Sequence, residues 1–340
     1  MASRWRRQLP LIAAILLAAV PCLAQKTPAW KYLRVGNTAD ATHAAPRAGY
    51  ALMGGGADLD EAFEWLCRRA GGGDFLVLRA TGTDAYNPYI QKLCPKLNSV
   101  ATLILPNRAA AEDAAVARKI AEASALFISG GDQSNYINFW MGTPVERALN
   151  DAIAREVPMG GTSAGLAVLG EWAYSAQGDK PDDADLTGKL AMSDPFGPRI
   201  TLVHDFLRIA ALRGAITDTH FATRDRMGRL LVFVARLNAR DGSQEQGIHG
   251  IGVEQGAAVL VEPDGAARVI GHGDTYFVDP PAGVAKLARG EPVDAGPYAV
   301  QKVAPGHNFN LRTWSGDAIG YALTVKSGQV QSTQPGGAIY

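Results

Sequence analysis

A serine set between glycines, Gly160-Gly161-Thr162-Ser163-Ala164-Gly165, carries the strongest chemical signal in this chain. An apolar strand pattern (Val157-Pro158-Met159) runs into it, and a small-residue helical pattern (Leu166 to Leu169) follows at once. A serine hydroxyl is a weak nucleophile at neutral pH unless it is exposed beside a base. A sharp strand-to-helix turn of the G-x-S-x-G type, a nucleophile elbow, gives that exposure, and Gly161 and Gly165 leave room for close backbone packing. The base expected to serve it is His220. The strand-like Ala215–Thr217 of Ile216-Thr217-Asp218-Thr219-His220-Phe221 delivers this imidazole to a loop within reach of a neighbouring strand. Arg224, Arg226 and Arg229 follow within ten residues. Arginines so close repel one another and are commonly tied to carboxylates. Those carboxylates are either a ligand's or the protein's own, with Asp182, Asp183 and Asp185 as the internal candidates.

The elements that must position these groups alternate from Tyr50 onward. Strand patterns fall at Tyr50 to Met53, Phe75 to Leu78, Val100 to Leu105 and Leu126 to Ile128. Helical patterns fall at Leu59 to Arg69 (with Asp58 as the expected cap), Pro88 to Leu93, Ala109 to Ala123 and Val145 to Arg155. Such alternation predicts β-α-β units and a doubly wound, mostly parallel sheet covered on both faces. Ligands of these sheets bind beyond the carboxyl ends of the strands, where both Ser163 and the Gly130-Gly131-Asp132-Gln133 turn are expected. After Tyr276 helical periodicity disappears and prolines punctuate short strand patterns (Ala318 to Val325, Gly328 to Ser332), which predicts a β-rich C-terminal extension.

Arg4, Arg6 and Arg7 precede an apolar run from Leu9 to Leu23, which has the layout of a secretory signal peptide cleaved after Ala24. The expected organisation is a signal peptide (1–24), a weakly patterned lead-in (25–48), an α/β hydrolase domain (49–275) and the β-rich extension (276–340). Removal of the signal leaves Cys67 and Cys94, either one disulfide in an oxidising compartment or two buried thiols. The 33 basic and 33 acidic residues cancel, so no global charge calls for nucleic acid or an anionic membrane. No metal-ligand spacing, phosphate loop or dinucleotide fingerprint is found, so no metal and no cofactor is expected.

Four stretches in order resemble one known family. They are Phe127-Ile128-Ser129-Gly130-Gly131-Asp132-Gln133, Gly161-Thr162-Ser163-Ala164-Gly165, Asp218-Thr219-His220-Phe221-x-x-Arg224-x-Arg226-x-x-Arg229, and Gly250-Ile251-Gly252-Val253-Glu254. The chain is similar over about Ala51 to Gly273 to the cyanophycinases and their relatives among the S51 serine peptidases. The resemblance implies a fold like that of class I glutamine amidotransferases. It implies Ser163 as nucleophile, His220 as general base and then acid, and Glu254 as the group that orients the imidazole. It further implies an oxyanion hole from the Gly131 and Ala164 amides, and a substrate-contacting set of Gln133, Asp218, Thr219, Arg224, Arg226 and Arg229. The implied partner is a peptide polymer, cyanophycin, cut to β-Asp-Arg dipeptides by an exported enzyme of the periplasm or medium. Homodimerisation is left open, and no membrane partner is expected after signal cleavage. Two alternatives share the serine. One is a β-aspartyl or N-terminal-Asp dipeptidase of the same family. The other is a lipase-like esterase with the order Ser, acid, His, which would recruit Asp205 or Asp218 and then His249 or His272.

Overall fold

The computed structural model describes residues 29–39, 43–180, 183–239, 247–283 and 285–340. The expected signal peptide lies outside the described residues, as does most of the stretch between Asn238 and Gly250.

Five of the predicted apolar runs form the parallel centre of a ten-stranded sheet. In spatial order they are Ser99–Ile104, Asp74–Arg79, Ala125–Ile128, Met159–Thr162 and Tyr50–Met53. Their near-continuous burial follows from cover on both faces, which removes the alternation of a half-wet strand. Helices Asp60–Arg69 and Tyr86–Leu93 cover one face; Ala114–Glu122 and Pro144–Ala154 cover the other. A disulfide between Cys67 and Cys94 ties the first two of these helices together, with the Cα atoms 6.2 Å apart.

The expected single, mostly parallel sheet is corrected by a second sheet of eight strands. Its parallel part is limited to His249–Val253, Ala215–Asp218 and Trp172–Tyr174. Leu202–His204 flanks one side; Thr275–Val278, Ala295–Val303, Ile319–Lys326 and Gln329–Ser332 continue the other, all antiparallel. Antiparallel neighbours need only tight turns, so a chain that stops building crossover helices after residue 238 extends its sheets as hairpins. The same change adds Ala257–Val261, Ala266–Gly271, Asn308–Asn310 and Ser315–Gly316 to the first sheet. One apolar cluster holds the sheets together, running from Leu52 and Met159 through Ile251 and Val253 to Phe277 and Phe309. The Phe277 and Phe309 rings stack with centroids 3.7 Å apart.

Local chemistry explains the remaining departures. The Ala-rich pattern predicted as one helix is two, Arg108–Ala111 and Ala114–Glu122, because the Asp113 side chain accepts from the Ala115 amide and starts a new helix. Asp132 likewise caps an unpredicted helix, Gln133–Trp140, by accepting from Ser134. The lead-in contributes an edge strand, Lys31–Gly36, antiparallel to Ser99–Ile104. Asp58 is not a helix cap: Leu59 holds that position, and Asp58 bonds elsewhere.

Candidate active site

Ser163 occupies the turn between strand Met159–Thr162 and helix Ala164–Ala167, at φ 52° and ψ −121°. This conformation is costly for a residue with a side chain and persists only where its surroundings enforce it. Here the enforcement is close packing. A Cβ at Gly165 would lie 2.0 Å from the Ile128 carbonyl oxygen, and one at Gly161 would lie 2.6 Å from the Gly165 carbonyl carbon. Glycine at 165 therefore lets the turn press against the neighbouring strand, and glycine at 161 lets the turn fold onto itself. The Gly130-Gly131 turn beyond that strand reaches Ser163: a Cβ on Gly130 would sit 3.4 Å from the serine Cβ. Gly131 follows at φ 151°, and Ala164 opens the helix directly after the serine.

His220 comes from the second sheet. It follows strand Ala215–Asp218 at φ 47°, with its amide donating to the Gly54 carbonyl at 2.8 Å. Its ring lies on Gly55, where a Cβ would come within 2.4 Å of Cε1, so the imidazole can reach the serine only over a glycine. Nε2 stands 2.7 Å from Ser163 Oγ. Burial pushes the His220 pKa down to about 4, helped by the Arg224 and Arg226 charges. The imidazole is thus neutral, the form a general base requires. The serine–histidine contact also excludes the lipase-like order. His249 lies instead with Nδ1 3.2 Å from Asp279 and its ring against Trp314, and Asp205 faces His204.

The third position is a correction. Glu254 does not touch His220. Its carboxylate accepts from the Ala222 and Thr223 amides and from the Thr223 hydroxyl, clamping the turn just after the histidine. The side chain against His220 Nδ1 is that of the next residue, Gln255, whose Nε2 lies 2.7 Å away. Strand His249–Val253 ends in a turn closed by the Ala257 amide on the Glu254 carbonyl, with Gly256 at φ 66°, and this turn presents Gln255 rather than Glu254 to the imidazole. Both were visible in the sequence; the direction each takes was not.

The arginine cluster also divides. Arg229 is 3% exposed and grips Asp218, itself 3% exposed, through both carboxylate oxygens. Arg226, also buried, bonds Asp185 at 2.7 Å and the Thr219 carbonyl and hydroxyl. Asp218, Thr219, Arg226 and Arg229 are therefore removed from the expected substrate-contacting set, because each is buried and partnered inside the protein. Burial would raise the Asp185 pKa, but hydrogen bonds and charge from Arg226 and Arg224 outweigh it and hold the carboxyl below its ordinary value. Only Arg224 of the three lines the cavity at Ser163, while bonding exposed Asp185 at 2.9 Å. Gln133 opens helix Gln133–Trp140, half-buried and two residues beyond Gly131.

That cavity holds about 300 Å³ and is lined by Asp58, the residue expected as a helix cap. Asp58 Oδ2 accepts from Tyr86 at 2.6 Å, while Oδ1 is enclosed without a hydrogen bond. Burial raises the Asp58 pKa, partly offset by Tyr86 and Thr162. Arg79 lies on the same wall, held by the Thr81 and Thr83 carbonyls. A larger cleft of about 840 Å³ lies beside the disulfide, lined by His43, Arg68 and Lys96, and has no nucleophile–base pair among the described residues. Chemistry rather than size locates the site. Glu171, His204 and Asp205 bring ligand-type atoms within 4.8 Å of one another, but Glu171 already bonds the Gly214 amide and faces His204.

A neutral imidazole on a strained serine, at the carboxyl ends of parallel strands, defines a serine-type hydrolase. Residues 55–193 match the profile of peptidase family S51. A cyanophycinase of Synechococcus elongatus is 26% identical over 259 residues, 73% of each chain. One from Trichormus variabilis is 29% identical over 182 residues, 53% of each. A crystal structure of a peptidase from an acI-B1 actinobacterium superposes with a TM-score of 0.50 at 14% identity, over 78% of this chain and 98% of that one, and shares the α/β fold. The chain is thus similar to the S51 peptidases over residues 55–193, with cyanophycinases among its relatives, and is a serine-type peptidase.

Proposed function

We propose that this chain is an exported cyanophycinase that cuts the multi-arginyl polyaspartate polymer to β-Asp-Arg dipeptides. The observation that carries the reading is the 2.7 Å contact of Ser163 Oγ with His220 Nε2, inside a cavity that offers both a carboxylate and guanidinium groups. Ser163 attacks the backbone carbonyl as His220 takes its proton. The oxygen that becomes negative is held by the Gly131 and Ala164 amides, donors whose individual loss typically costs about a hundredfold or more in rate. His220 then gives the proton to the leaving nitrogen, and water resolves the acyl-enzyme by the same steps in reverse roles. Each repeat of the polymer carries a guanidinium and a free carboxylate. Asp58 suits the first, and Arg224 and Arg79, with Gln133 beyond the glycine turn, suit the second. The named activity of the curated relatives supports this choice of substrate. Export rests on the N-terminal arginines and apolar run, and the Cys67–Cys94 disulfide accords with an oxidising compartment. The fold reading as glutamine amidotransferase-like belongs to the same proposal. Incubating the purified chain with insoluble cyanophycin should release β-Asp-Arg, and Ser163→Ala should reduce release below a few per cent. Wild-type protein that leaves the polymer intact but cleaves β-aspartyl dipeptides would replace this substrate with the smaller one.

A further inference from the structure

We propose that Gln255, not a carboxylate, is the positioning residue of the serine–histidine pair, so that this chain works with a neutral third member. The proposal rests on the reading of Ser163 and His220 as the reacting pair. Its geometric basis is the 2.7 Å approach of the Gln255 amide to His220 Nδ1, on the opposite edge of the ring from Ser163.

The proton arrangement follows from these two contacts. With Nε2 of Gln255 facing Nδ1, the ring nitrogen accepts, its proton sits on the histidine Nε2, and that atom donates to Ser163 Oγ. This is a resting tautomer, unable to take the serine's proton. A half-turn of the amide exchanges its nitrogen for its oxygen at nearly equal volume. Oε1, now on the side of Gly56, then accepts from Nδ1–H and leaves the histidine Nε2 free to accept. In the reacting step the Oγ–C bond forms, the carbonyl π pair moves to oxygen and the hydroxyl proton passes to Nε2. The resulting imidazolium donates from Nδ1 to the Gln255 carbonyl. No oxidant or co-reactant is required.

Charges around the ring show what the neutral partner changes. Arg224 and Arg226 oppose a positive imidazole. Asp185 and Asp218 favour it, but both are engaged by arginines. Glu254 spends its carboxylate on the Ala222–Thr223 turn, and Asp58 and Arg79 stand on the cavity wall. Among the described residues no carboxylate pairs with the ring. The imidazole therefore stays unprotonated into acid, and activity extends to low pH at the expense of less stabilisation of the imidazolium.

The test is the rate at which a fluorophosphonate labels Ser163, followed against pH, which needs no knowledge of the natural substrate. The acid limb of the wild-type profile should lie well below pH 6. Gln255→Glu should move it up by at least one pH unit, because a carboxylate on Nδ1 favours the protonated ring. Gln255→Met, of similar length but without the amide, should slow labelling tenfold or more at pH 7 with the thermal midpoint little changed, and gives the decision if the Glu variant does not fold. An unmoved acid limb in a folded Gln255→Glu, or labelling of Gln255→Met within twofold of wild type, would overturn the proposal. Absence of labelling in the wild type would instead overturn the Ser163–His220 pair, and this proposal with it.

Discussion

Arg224, Arg226 and Arg229 lie within six positions of one another yet do different work, and burial decides which. Arg229 and Asp218 are a fully enclosed bidentate pair, so removing one partner strands the other charge. Arg229→Ala should cost about 3–5 kcal/mol of stability, a loss read by denaturant unfolding. Arg224 is exposed at the cavity, where Lys keeps the charge but loses the fork that grips a carboxylate. Arg224→Lys should raise KM for the polymer several-fold with little change in unfolding midpoint or in fluorophosphonate labelling. An equal loss in labelling would make Arg224 a structural member like its two neighbours. Asp58 gives the complementary expectation. Its enclosed, unbonded oxygen fits a cationic group, so Asp58→Asn should lose preference for an arginine-bearing β-aspartyl substrate over its neutral citrulline analogue. Among these residues the sequence revealed chemical type and neighbourhood. It could not reveal which guanidinium is satisfied internally, because the partners Asp185 and Asp218 are set by folding rather than by spacing.

At the scale of elements, the site depends on three strand exits and on what their turns require. Ser163, His220 and Gln255 each leave a parallel strand, on two different sheets. The β-α alternation from Tyr50 to Ser163 was legible because buried parallel strands read as short apolar runs between helical patterns; four runs lie within a residue of their strands, and Val157–Met159 overlaps Met159–Thr162 only at its end. The helix Gln133–Trp140 was hidden behind the glycine turn, since its polar opening residues serve the turn as well as the helix. The third site residue was hidden by the tight turn after strand His249–Val253, where a one-residue offset separates a group on the ring from a group on the adjoining turn. That division predicts unequal effects. Glu254→Gln weakens three hydrogen bonds to the Ala222–Thr223 segment, two of them from amides, and should lower thermal stability while leaving the pH profile of labelling in place. A shift of the acid limb in Glu254→Gln would mean that its charge acts on the imidazole directly.

Across the whole molecule, nucleophile and base come from different sheets, so their 2.7 Å contact is only as secure as the packing between those sheets. The strands after residue 276 take part in that packing, and the sequence showed their β character but not which sheet each would join. Ala295–Val303 extends the histidine's sheet, while Asn308–Asn310 crosses to the serine's sheet and stacks Phe309 on Phe277. The same region reaches the catalytic loop through Tyr340. Its hydroxyl accepts from the Met227 amide at 2.9 Å and donates to Asp225 at 3.0 Å, and its ring packs edge-on against Phe221 and Tyr276. Phe221 directly follows His220, and Met227 opens the next helix, so this ring braces the segment that carries the base at both ends. Tyr340→Ala removes the ring and both hydrogen bonds; the apolar loss alone is about 2 kcal/mol. The variant should unfold at lower denaturant and label Ser163 more slowly, whereas Tyr340→Phe should recover most of the labelling by keeping the ring. If Tyr340→Ala loses stability but labels at the wild-type rate, the C-terminal region supports the fold without holding the histidine in place.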